Sequence, residues 1–539
     1  MAPPAAETVL SYHQRTKHRL ERYARSPGFL DWDNQPDPFR RYVGCEPIAL
    51  PLSREDPPGG PLTLYEGARR ARGIDRDAIG AFLELSLALS AWKAAGGARW
   101  ALRINPSSGN LHPTEAYLLL PAAGGLTPGL YHYDPLHHAL ERRAELGEPL
   151  RRLLFPEHAP AGFLLGLTSI FWREAWKYGE RAFRYCQLDL GHALAALRFA
   201  AALFGWTIEP LSSLSDEQAA SILGIDRSAF AAGEEEHPDL LLRVGPSRSA
   251  PAAALSAEAI ARAASLPLHG VPNRLSAEHR DWPVIARVAA ACRKPETATA
   301  DAPSGIPRPW LSGPESPLAA ARIVRQRRSG LSFDPRRGIE RERFLVLLDR
   351  TLPRPGKAPF DALADPPEVD LLLFVHRVAG LSPGLYLLLR APGHEDALRS
   401  RLAARFRWEP VVAGFPLFLL EEGDFRASAR RVSCHQEIAG DSAFSLGMIA
   451  RFEEILRREP YRYRALFREC GMIGQVLYLE AEAQGIRGTG IGCFFDDEVH
   501  ALIGISDLSF QSLYHFTAGF PIEDPRLTTL PPYAHLGPP

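Results

Sequence analysis

The chain has 539 residues, enough for two or more domains that each bury a core. With 46% hydrophobic residues, 23% charged residues and a formal net charge of −1, it lies outside the disordered and coiled-coil ranges, and it offers no overall field for nucleic acid or an anionic membrane. No run reaches the roughly 18 apolar residues of a membrane span and the N-terminus has no apolar signal core, so a cytoplasmic location is expected. The six cysteines (Cys45, Cys186, Cys292, Cys434, Cys470, Cys493) are scattered without CxxC or zinc-type spacing, which fits a reducing compartment and no metal site.

In chain order, an arm is expected over residues 1–75, a first domain over 76–246, a linker over 247–315 and a second domain with a tail over 316–539. The first marked segment is INPSSGNLHPTEAYLLL (Ile104–Leu120), a turn before an apolar strand. Pro106, Ser107, Ser108, Gly109 and Asn110 offer hydroxyls, an amide and approachable backbone N–H groups, which suits a polar planar ligand and equally an ordinary turn. TPGLYHY follows as a second strand. His132, His137 and His138 lack carboxylates at ligand spacing and are read as surface residues. WKYGERAFRYC (Trp176–Cys186) holds Lys177, one of only five lysines, next to Tyr178. A helix is then predicted, with Leu190, Ala193, Leu194, Leu197 and Ala201 forming one buried face and Gly205 as its cap.

The linker, rich in Ala, Pro, Ser and Arg, is expected to contain a short helix at Ala257–Ser265. Beyond it, RIVRQRRSGLSFD (Arg322–Asp334) ends a probable-helix pattern in Arg327, Arg328 and Ser329, a set that can clamp a phosphate or form a solvated basic face. A strand pair recurs as EVDLLLFV and SPGLYLL. GIRGTGIGCFFDDE (Gly485–Glu498) follows a helix instead of opening one, which excludes a Rossmann loop; the backbone of Gly490, Ile491, Gly492 and Cys493 is free to lie flat against a ring system. A shift of 280 residues places Gly191, Leu197, Ala201, Gly205, Asp216, Gly224 and Ile225 on Gly471, Leu477, Ala481, Gly485, Asp496, Gly504 and Ile505, which indicates internal duplication.

Taken in this order, PSSGNLHPTEAY, WKYGERAFRYC, RRS and GTGIGCFFDDE resemble the nitroreductase superfamily, in particular the tandem form of the SagB-type (thiazole/oxazole-forming, ThcOx-like) dehydrogenases. The arm YARSPGFLDWDNQPDPF and the tail DPRLTTLPPY extend the likeness. The resemblance implies an α+β fold, two tandem FMN-dependent nitroreductase-like domains forming a pseudo-dimer within one chain, which can be a monomer. It also implies FMN phosphate on Arg327, Arg328 and Ser329 with help from Arg526, the flavin edge at Ser107 to Asn110 and near Ile491 to Cys493, and Lys177 with Tyr178 as an acid–base pair. Leu331 stands where the family often has a basic residue. The first half has TIEPLSSLSDE in place of the glycine-rich loop and the second has LPRPGKAPFDAL in place of the Pro-Ser-Ser turn, so one competent site per chain is expected. The implied reaction moves hydride from a small organic or peptide substrate to FMN. An NAD(P)H-driven nitro or quinone reductase, and a non-catalytic flavin- or peptide-binding scaffold, are the alternatives.

Overall fold

The computed structural model describes residues 4–156, 161–246, 254–298, 305–314 and 316–536. Each half carries a seven-stranded antiparallel sheet. In the first, β1 (Pro47–Ala49), β2 (Thr114–Leu120), β3 (Gly129–Asp134), β4 (Ala139–Glu145), β5 (Phe163–Ile170), β6 (Thr207–Pro210) and β7 (Glu236–Gly245) lie in the order β1-β4-β3-β2-β5-β7-β6. In the second, β8 (Val369–Val375), β9 (Gly384–Leu388), β10 (Glu409–Val412), β11 (Phe415–Glu422), β12 (Phe444–Arg451), β13 (Arg487–Ile491) and β14 (Phe510–Gly519) lie in the order β10-β11-β9-β8-β12-β14-β13. The two orders agree except at the outer edge, where the first sheet takes β1 from the arm and the second takes β10 from between β9 and β11. The fold is therefore α+β in two tandem units of like topology, as the repeat implied.

The central strands are apolar at consecutive positions because both faces of each sheet are covered. Along β2, Leu118 and Leu120 join a core shared by the two halves, while Tyr117 and Leu119 join an outer cluster. Along β8, Leu371 and Leu373 enter the same shared core and Leu372 and Phe374 an outer one.

The helices used below are α1 (Phe171–Tyr178), α2 (Ala182–Leu203), α3 (Asp216–Leu223), α4 (Ala320–Gln326), α5 (Arg462–Ala483) and α6 (Asp496–Ile503). The 280-residue shift superimposes α2 on α5 and α3 on α6 at both ends. Spacing predicted one buried face for α2, but every one of its residues is buried. It is sandwiched between its own sheet and α5, and its charged residues are matched by partners. Gly205 and Gly485 follow the two long helices with φ of 67° and 74°, as an αL ending requires.

The helices cross at Gly191 and Gly471. A Cβ on Gly191 would lie 2.1 Å from the Arg468 carbonyl oxygen, and one on Gly471 would lie 2.1 Å from that of Leu188. Around this point the halves exchange ion pairs reciprocally: Arg184 bonds Asp496 at 2.9 Å and its repeat mate Arg464 bonds Asp216 at 2.9 Å. Both aspartates open a helix, where the exposed N–H groups also favour negative charge.

The extensions tie the halves further. In the arm, Lys17 bonds Asp497 and the His18 N–H bonds Asp496. In the tail, Thr528–Leu530 pairs with Leu89–Ala95 of the first half. Within 254–298, the helix Ala257–Ala264 forms, and a further helix, Pro283–Ala291, turns Val284, Ile285 and Val288 inward. Residues 247–253, 299–304 and 315 of the expected linker lie outside the described residues.

Two of the three histidines correct the sequence reading, and His137 is exposed as it expected. His132 is fully buried between Glu115 and Glu141, at 3.1 and 2.9 Å, and His138 is buried against Tyr133. His137 is the more exposed one and bonds Asp134. Burial opposes charge on His132, but its two carboxylates outweigh that and raise its pKa to about 9. The partners sit on neighbouring strands, beyond the reach of local spacing.

Gly471→Ala is expected to lower stability by about 3 kcal/mol or more, because a methyl 2.1 Å from backbone has no rotamer to escape through. Thermal denaturation followed by circular dichroism measures it. A melting temperature within about 2 °C of the parent would contradict the crossing.

Candidate functional site

A cavity of about 340 Å³ opens between the halves, a size in the range of small-ligand sites. Pro106, Ser107 and Asn110 line it from the first half, and Arg327, Arg328, Ser329 and Arg487 line it from the second. The turn is therefore brought to the basic segment, as the sequence reading required.

α4 stops at Gln326, and the following residues leave the helix to run alongside β13, where Ser329 bridges Gly488 and the Gly330 N–H bonds the Gly488 carbonyl. This places both arginines at the cavity. Arg327 is buried and donates only to the Arg103 and Ile104 carbonyls, at 3.3 Å each, leaving its Nε without a partner. Arg328 donates to the carbonyls of Arg325, Arg327 and Ser90. Among the described residues neither forms an ion pair with a carboxylate. Burial draws both pKa values down, that of Arg328 to about 10 with Arg327 adding to the effect, which leaves both guanidinium groups charged at neutral pH. One buried and one half-buried cation, neither paired with a carboxylate, favour an anion in the cavity.

The turn is anchored from below. Ser107 Oγ donates to Asp189 at 2.5 Å, and Ser108 donates to the same carboxylate from its N–H and hydroxyl. Asn110 donates its amide N–H to the Ala101 carbonyl and accepts at Oδ1 from His112 Nε2. Gly109, at φ 59°, lies on α1: a Cβ there would be 2.6 Å from the Tyr178 hydroxyl and 3.1 Å from Lys177 Nζ. Lys177 and Tyr178 thus stand behind the turn, outside the cavity lining. Burial, then Glu174, holds the Tyr178 phenol well above its ordinary pKa, so it stays protonated. Beneath them Asp189 is pushed up to about 7 by burial, against the Ser107 and Ser108 hydrogen bonds, and Glu174 is raised well above its ordinary value by burial and by Asp189.

The glycine-rich segment forms the edge strand β13, paired with β14. Its Gly490 N–H donates to Tyr478 Oη, and side chains at Gly490 and Gly492 are excluded by Tyr514 and Tyr185, at 1.8 and 2.2 Å from the Cβ positions. These glycines are required by packing behind the strand, and Gly490 to Cys493 are outside the cavity lining. Arg526 is exposed and paired with Asp524, also outside the lining. Arg487, Arg103 and Lys93 line it instead. Arg487 was hidden in a segment that drew notice for its glycines, and Arg103 and Lys93 carried no local signal.

The repeat also shows the site's counterpart. The residue equivalent to Tyr478 is Arg198, which is buried and paired in bidentate fashion with Asp361 at 2.9 Å, inside the segment that replaces the turn.

Residues 324–520 match the model of the nitroreductase family. A crystal structure of a provisionally named nitroreductase from Anabaena variabilis superposes on 96% of this chain and 99% of its own, with a TM-score of 0.70 and 22% identity, which extends the nitroreductase fold to both halves. The trifolitoxin-processing protein TfxB of Rhizobium leguminosarum bv. trifolii is 32% identical over 130 residues, 22% of this chain and 35% of that protein. The chain therefore matches about a third of that relative's length. A provisionally named nitroreductase of Methanocaldococcus jannaschii is 28% identical over 144 residues, 26% of this chain and 68% of that protein. No helix among the described residues is long and apolar enough to cross a membrane.

The buried carboxyl pair makes the turn pH-sensitive. An unfolded aspartate titrates near pH ~4, whereas folded Asp189 titrates at about 7. Its contribution to stability is complete below the unfolded value and is lost as pH rises through the folded one. Asp189→Asn is expected to flatten the fall in melting temperature between about pH 4 and 7 relative to the parent, as calorimetry across that range would show. Parallel curves for the two proteins would contradict the assignment.

Proposed function

We propose that the chain is an FMN-dependent oxidoreductase that removes hydride from an organic or peptide substrate, in the manner of SagB-type dehydrogenases. The observation that carries this reading is the pair of guanidinium groups at the inter-half cavity, buried Arg327 and half-buried Arg328, neither of which pairs with a carboxylate among the described residues. They fit a phosphate by charge-assisted hydrogen bonds; Lys93 adds positive charge to the lining, while Arg487 is paired there with Glu523 at 2.7 Å. FMN, when bound, supplies the hydride acceptor. The nitroreductase-family match and the relative named for trifolitoxin processing support an oxidoreductase of this kind.

On the chain's side, hydride removal leaves a proton to be managed. Tyr178 keeps its hydroxyl proton at neutral pH, and Lys177 beside it carries a group able to accept or return one. The arm next to them is apolar: Phe29 and Trp32 are 79% and 63% exposed, and Trp32 packs edge-on against Trp176 at 5.4 Å. An aromatic or peptide substrate would cover those rings.

Arg328→Ala is expected to raise the FMN dissociation constant about ten- to hundredfold, equivalent to roughly 1.5–3 kcal/mol, while exposed Arg526→Ala changes it by less than about threefold. Equal effects, measured by flavin fluorescence titration, would remove the phosphate assignment. Lys177→Met is expected to keep flavin and lose substrate turnover; unchanged turnover would assign the proton elsewhere.

A further inference from the structure

Cys434 and Cys493, 59 positions apart in the chain, meet in space. Cys493 lies in the loop that runs from β13 to α6, and Cys434 lies between the short helices Arg426–Val432 and Ile438–Asp441. The loops are tied by the Phe495 N–H bond to the Val432 carbonyl at 2.8 Å. Gln436 Nε2 adds a bridge by donating to the Ser433 and Cys493 carbonyls, at 2.9 and 3.1 Å. Cys434 and His435 both adopt left-handed φ, 53° and 60°, a costly backbone for two successive non-glycine residues that packing must enforce. The conformation turns the Cys434 thiol toward Cys493, across the loops that Gln436 and the Phe495 N–H tie together.

The surroundings favour thiolate at Cys493. The Cys434 thiol holds its pKa well below the ordinary range against the cost of burial, and a His18 hydrogen bond and the Arg181 charge add to it. Tyr23, Tyr178, Tyr185 and Asp496 also face the pair. Both cysteines are half-buried, whereas Cys186, Cys292 and Cys470 are enclosed. A small oxidant can therefore reach this pair and not those three.

We propose that Cys434 and Cys493 form a peroxide-reactive dithiol that closes reversibly to a disulfide. The Cys493 thiolate attacks one peroxide oxygen; the S–O bond forms as the O–O bond breaks, and hydroxide leaves and is protonated to water. The Cys434 sulfur then attacks the resulting sulfenic acid, forming the S–S bond and releasing a second water. Two electrons pass from the two sulfurs to one peroxide, and a dithiol reductant reverses the closure. This chemistry needs no flavin, so it stands or falls separately from the function proposed above.

The test treats the full-length chain with one equivalent of hydrogen peroxide at neutral pH, then maps peptides without reduction. The intact mass is expected to fall by about 2 Da, the loss of two hydrogens on disulfide formation, with a Cys434–Cys493 cross-linked peptide that dithiothreitol removes. Cys434→Ser is expected to give no such cross-link and to accumulate a dimedone-trapped sulfenic acid at Cys493. Retention of all six thiols, a disulfide between other cysteines, or no sulfenic acid at Cys493 in Cys434→Ser would each overturn the proposal. The parent's own peptide map decides the matter if that variant does not fold.

Discussion

The crossing of two long buried helices at Gly191 and Gly471 is the constraint on which the rest of the structure depends. Only a residue without a Cβ lets backbone approach backbone so closely, and the approach brings the two halves near enough to share one core. Once that contact is set, the reciprocal pairs Arg184–Asp496 and Arg464–Asp216 fall into place on either side of it. Breaking a buried pair of this kind typically costs about 3–5 kcal/mol, because the remaining charge has no partner. The pairs therefore hold the orientation that the glycines permit.

That orientation builds the cavity and makes its two versions unequal. At one, a turn held from below by Asp189 meets the arginines after α4. At the other, Arg198 stands in the place of Tyr478 and reaches Asp361, so its charge is satisfied within the protein. The first has unpaired positive charge directed at a space, and the second has spent its charge on itself. On the proposed reading only one of the two junctions holds a ligand, and the other is filled by side chains.

Much of this was legible in the sequence. The duplication showed because glycines and aspartates that serve crossing, capping and pairing kept one common spacing. The meeting of the Pro-Ser-Ser turn with Arg327 and Arg328 followed from each half lacking what the other kept. What local patterns missed were contacts made across the fold. The carboxylates around His132 lie on neighbouring strands, so a search at ligand spacing along the chain passed them by. The single buried face predicted for α2 was too modest, since a helix between a sheet and its own repeat mate is enclosed on all sides. The glycines from Gly490 to Gly492 are read in the sequence as making room for a ring system, and the fold adds a second demand, since Tyr514 and Tyr185 leave no space for side chains at Gly490 and Gly492. Cys434 and Cys493 looked scattered because nothing in a linear count shows two loops tied by Gln436.

The account rests on one competent junction per chain. Its most direct test is to saturate the purified full-length protein with FMN, remove free flavin and compare bound flavin with protein concentration by absorbance. The account predicts about one FMN per chain; about two per chain, or a protein that stays colourless in excess FMN, would contradict it.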